Sequence, residues 1–125
     1  MSLVTNVILT YSPGECYGSE EGHPRLDEIA AYLRSHSAAS RVAPRPFVPV
    51  DEHSGGYKHM ENGVALGAFN FTSRRTILDA VAAAVWEYPD FVQVFIKEQH
   101  DDMFLEYTLK ERRFYDEDEQ ASLSG

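Results

Sequence analysis

Asp51, Glu52, His53, His59 and Glu61 fall within one short stretch and are of the types that ligate zinc or iron through imidazole nitrogens and carboxylate oxygens. The two histidines stand six positions apart, without the His-x-His or His-x-x-x-His spacing that a regular element would use. A solvated loop is the simpler reading, and no metal is assigned. Cys16 is the lone cysteine and is followed by Glu20, Glu21 and His23. Neighbouring carboxylates disfavour a thiolate, so this thiol is not expected to be a nucleophile. No G-x-S-x-G elbow is present. Gly55-Gly56-Tyr57-Lys58 lacks the rest of a phosphate-binding loop. Gly67-Ala68-Phe69-Asn70-Phe71 repeats only a fragment of an RNA-binding strand motif. Arg74 and Arg75 are more suggestive. They fall where a helix should begin, and two guanidinium groups beside free backbone N–H groups could hold a phosphate or carboxylate. They also oppose the helix dipole there, and pairing with surface acids is the ordinary alternative. Glu98 and Glu106 read as a surface pair. His100, Asp101 and Asp102 read as turn chemistry. No catalytic constellation emerges, and no cofactor is implied.

These groups need elements to position them. Val4 to Tyr11 is β-branched and apolar, and ends at Ser12-Pro13-Gly14, which predicts a strand and a turn. Its nearly continuous apolar character suits a central strand. Pro24 suits a first helical position, and Leu26, Ile29, Ala30 and Leu33 recur at i, i+3, i+4 and i+7, which predicts a helix over 24–36. Phe47 to Val50 is a short strand that Pro49 confines to a sheet edge. Residues 51–63 form a long loop of the kind that is often functional. Val64 to Phe71 is a strand in which Gly67 marks a bulge or a close backbone approach. Thr72 or Ser73 caps a second helix that carries Ile77, Leu78, Val81, Ala84 and Val85 on one face and closes around Trp86–Tyr88. Phe91 to Glu98 and Met103 to Leu109 alternate and form a hairpin.

The order is strand, helix, two strands, helix, two strands. That is the plan of an α+β, ferredoxin-like split β-α-β sandwich, with two helices on one face of a 4–5-stranded, mostly antiparallel sheet. The expected organisation is one domain over 1–115 and an acidic tail over 116–125. Two helices leave the other sheet face bare. Phe91, Phe95, Phe104 and the tyrosines could cover it in a homodimer, or the tail could fold back over it.

The 125 residues carry 20 acids against 11 bases, a formal charge of −9. Such a charge disfavours nucleic acid, whose phosphates need Lys and Arg. No run reaches the ~18 apolar residues of a membrane span, and no basic signal region opens the chain, so a cytoplasmic, non-membrane protein is expected. Within 110–125, three bases meet five acids, so most of the charge lies elsewhere, concentrated in loops. An acidic field steers association with a basic partner. The expectation is therefore a small acidic protein-binding domain of the inhibitor or immunity type. Its contacts would be Asp51, Glu52, Tyr57, His59, Glu61, Glu98, Asp101 and Asp102. The rivals are a small-ligand protein or enzyme with an anion pocket at Arg74 and Arg75, and a structural homo-oligomer.

Overall fold

The computed structural model describes residues 4–16, 23–36, 46–50, 62–70, 72–111 and 113–114. The element order is β1 (Val4–Tyr11), α1 (Pro24–His36), β2 (Val48–Pro49), β3 (Gly63–Asn70), α2 (Arg74–Ala83), β4 (Gln93–Glu98) and β5 (Leu105–Thr108). Single 3₁₀ turns occupy Pro13–Cys16 and Pro89–Phe91. The five strands form one sheet in the order β2-β3-β1-β4-β5, and every neighbouring pair is antiparallel. α1 carries the chain from β1 past the place of β3 to β2. α2 carries it from β3 past β1 to β4. Both helices pack on one sheet face, so the split β-α-β sandwich with one added C-terminal strand is the fold.

Alternation along the strands decides what faces the helices. In β1, Thr5, Val7, Leu9 and Tyr11 are buried, and the residues between them are only partly covered. Val94 and Ile96 of β4 and Tyr107 of β5 join them, with Val92 and Leu109 just outside these strands. Leu26, Ile29 and Leu33 of α1 and Ile77, Leu78 and Val81 of α2 close the core from above. Pro49 sits on the edge strand β2, where its missing N–H costs no ladder bond. Gly67 makes a close approach without a bulge. The β1–β3 register runs unbroken, and a Cβ at Gly67 would stand 2.8 Å from the Pro46 carbonyl oxygen.

Two expectations need correction. α2 ends at Ala83, short of Trp86–Tyr88. Ala84 turns extended, at ψ 151°, and the Trp86 indole N–H donates to the Val81 carbonyl at 2.7 Å. Breaking the helix there buries Trp86 against Tyr11, with ring centroids 5.7 Å apart, and gives the Val81 carbonyl, which also accepts the Ala84 N–H, a second donor. Val85 is consequently exposed. Second, the four tyrosines among the described residues do not lie on the bare sheet face. Tyr11 and Tyr107 are in the core, Tyr32 packs beside it on α1, and Tyr88 lies against Gly14. Beyond β5, the described residues fold back on the helix side. A turn from Lys110 to Arg113, with Glu111 at φ 50°, brings Phe114 into the core. The tail over 116–125 lies outside the described residues. No helix among the described residues is long and apolar enough to cross a membrane.

Candidate functional site

The β4–β5 connection is a turn held from both sides. The Asp101 N–H donates to the Glu98 carbonyl at 2.9 Å, and the Glu98 N–H donates to Asp101 Oδ2 at 3.0 Å. This reciprocal pair closes the turn, and Gln99 Oε1 ties it to β1 by accepting the Val4 N–H at 3.2 Å. Strand pairing resumes only at Leu105, opposite Ile96. Asp102 is therefore exposed, and the two residues after it stand out from the fold: Met103 is 73% and Phe104 42% exposed. Two large apolar side chains thus project from a rigid turn that also presents Asp101 and Asp102, with Glu98 at its base.

Arg74 ties this turn to α2. Its Nη1 donates to the Tyr107 hydroxyl at 2.8 Å, and its Nε lies 3.8 Å from Glu98 Oε1. Partial burial acts to lower the Arg74 pKa. The hydrogen bond to Tyr107 and the charges of Tyr107, Glu98 and Asp101 outweigh it, and the guanidinium is held above its ordinary value. Arg75 turns elsewhere. It pairs with Asp79 at 2.9 Å, one helical turn on, and donates to the Phe114 carbonyl at 2.9 Å. Successive helix positions are about 100° apart, so the two arginines do not converge on one anion. Each meets groups of its own chain. α2 is capped by Ser73, whose hydroxyl accepts from the Thr76 N–H at 3.1 Å.

Arg75 also lines a cleft of about 480 Å³ with Tyr32, Asp79, Arg113 and Phe114. A smaller cleft of about 220 Å³ opens at the far end of the sheet between Thr10, Asn62, Asp90, Phe91 and Gln93. Among the described residues, no group of three or more His, Cys, Asp and Glu is placed to hold a metal ion. Asp51, Glu52, His53, Tyr57, His59 and Glu61 lie outside the described residues.

Two features escaped the sequence reading. Met103 and Phe104 were absorbed into a strand that starts two residues later. Glu15 carries no signal of its own in the sequence. Its side chain is 1% exposed and accepts from the N–H groups of Glu87 (3.1 Å) and Tyr88 (2.7 Å), with Arg25 Nε 3.5 Å away. Arg25 in turn pairs with Glu28 at 2.9 Å and donates to the Val85 carbonyl. This clamp joins the exit of β1, the first turn of α1 and the link before β4. It is structural, since its carboxylates are taken up by backbone N–H groups and by the Arg25 guanidinium, whose Nε is buried at ion-pair distance from Glu15 without a hydrogen bond. No family model, curated protein or solved structure matches this chain.

Proposed function

We propose that the chain is a small acidic protein-binding domain of the inhibitor or immunity type, which neutralises a basic partner and docks it on the β4–β5 turn. One observation carries this reading: Met103 and Phe104 stand exposed beside Asp101 and Asp102 on a turn that is already hydrogen-bonded to itself. Exposed apolar anchors ringed by charge are what interfaces bury, and a preformed turn loses little entropy when it docks. The overall charge of −9 would draw a basic surface toward it. The anion-pocket reading has less support, because Arg74 and Arg75 face away from each other onto partners within the chain.

The test is affinity capture from the source cell with the native chain and with a variant carrying Asp102→Lys and Met103→Ser. Both positions are exposed, so the variant should keep its fold. The expected result is a basic protein retained by the native chain and bound about 30-fold or more weakly by the variant, consistent with the loss of a hot-spot contact of ~2 kcal/mol. Its affinity should fall as salt rises from ~50 to ~200 mM. Equal capture by both chains, or recovery of the chain alone, would sink the proposal.

A further inference from the structure

The sheet face away from the helices has its own composition. Register and alternation place Val4, Asn6, Ile8 and Thr10 of β1 there, with Val64, Leu66, Ala68 and Asn70 of β3. Gln93, Phe95 and Lys97 of β4 and Glu106 and Thr108 of β5 complete it on one side. Val48 of β2 and Val50 complete it on the other. One cross-strand row runs Val48–Leu66–Ile8–Phe95, apolar over four strands. Val48, Val50 and Leu66 are 52%, 40% and 47% exposed. The formal charge of this whole face is zero, one lysine against one glutamate, in a chain of −9. The glutamate is already engaged, since Gln93 Nε2 donates to Glu106 Oε1 at 2.7 Å.

We infer that this face is the interface of a homodimer, with a second copy of the chain as its occupant. Charge is the first argument. Two chains of −9 repel, and they can meet closely only through a surface that carries no net acid; the open face is such a surface. A basic partner, in contrast, would find no acidic complement on it. Size is the second argument. Strands spaced about 4.8 Å apart and residues rising about 3.3 Å give the 28 strand residues a flat area of roughly 450 Å². Side-chain relief and the flanking Val50 add to that, toward the ~800 Å² per partner of a stable interface. Packing is the third. Aliphatic and aromatic side chains on two sheet faces interdigitate about 10 Å apart, and the row from Val48 to Phe95 supplies them. The polar residues of the face, Asn6, Thr10, Asn70, Gln93 and Thr108, are short or already bonded and tolerate a rim. This surface is separate from the β4–β5 turn, so the inference does not rest on the proposed partner.

Sedimentation velocity of the full chain at micromolar concentration tests it, with Leu66→Glu and Val48→Lys as variants. Both positions are half-exposed, and two opposite charges guard against an effect peculiar to one. The native chain should sediment at twice the 14.1 kDa of a single chain. Each variant should remain folded by circular dichroism and dissociate on the order of 100-fold more readily, because a charge must be desolvated against an apolar row. The native dimer should tighten as salt rises from ~50 to ~200 mM, since like charges are screened. That sign is opposite to the one expected for a complex with a basic partner, so the two ideas fail separately. A monomeric native chain, or a dimer that persists in both variants, overturns the inference.

Discussion

In β1, Leu9 is fully buried while Ile8, the preceding residue in the same strand, is only partly covered. The contrast repeats across the sheet, where Val94 and Ile96 are buried and Phe95 between them is not. One backbone therefore builds two surfaces that differ only in which neighbours cover them. The helix side uses Val, Leu, Ile, Tyr and Trp packed against α1 and α2. On the bare side the row Val48–Leu66–Ile8–Phe95 is as apolar, amid polar neighbours, and no element among the described residues packs over it. Hydrophobicity alone does not distinguish a core from a surface awaiting a partner; the layer above it does.

The largest expected effect breaks this comparison most directly. Leu9→Ala should cost about 3–5 kcal/mol in urea unfolding, through lost burial and the cavity left behind. Ile8→Ala should cost about 1 kcal/mol per chain. Equal costs would mean that the bare face is covered as tightly as the core in solution. Next comes the Glu15 clamp. Glu15→Ala should cost about 3 kcal/mol, because it leaves two backbone N–H groups without their acceptor and removes the carboxylate beside the buried Arg25 Nε. A loss below 1 kcal/mol would mean that water replaces the carboxylate there and that the clamp is not a structural tie. The smallest effect belongs to the surface. Asp79→Ala removes the exposed partner of Arg75 and should change stability by no more than ~0.5 kcal/mol. A larger loss would show that Arg75, through the Phe114 carbonyl, depends on Asp79 to hold the C-terminal segment.

Much of the fold was legible in the residues. Pro24 and the spacing of Leu26, Ile29, Ala30 and Leu33 placed α1, because a helix start and its apolar stripe are both local signals. Pro49 placed β2 at an edge, and alternation found the inward side of β4. The end of α2 was not legible. Periodicity carries through Val85, and it takes the distant Tyr11, the Val81 carbonyl, and Arg25 and Glu28 holding the Val85 backbone to explain why the chain gives up the helix to bury Trp86. The Glu15 clamp was hidden for a similar reason, since its acceptors meet N–H groups more than 70 positions away. At the candidate site, the acids of the β4–β5 turn could be read from their types. Met103 and Phe104 could not, because alternation does not reveal where pairing stops. The acidic stretch over 51–61 lies outside the described residues.

The central position of β1 has a consequence for synthesis. Its first paired residues find their partners at Asn70 on one side and at Glu98 on the other, with Thr5 opposite Glu98. Translation at ~5–20 residues per second therefore leaves this apolar strand waiting roughly 5–20 s after it is made before β4 exists to flank it. Its contacts are long in sequence, which slows closure further. During that interval Val7, Ile8 and Leu9 form an unpaired, aggregation-prone segment of the nascent chain, and the yield of the folded protein should depend on holdase chaperones at the ribosome more than its small size suggests.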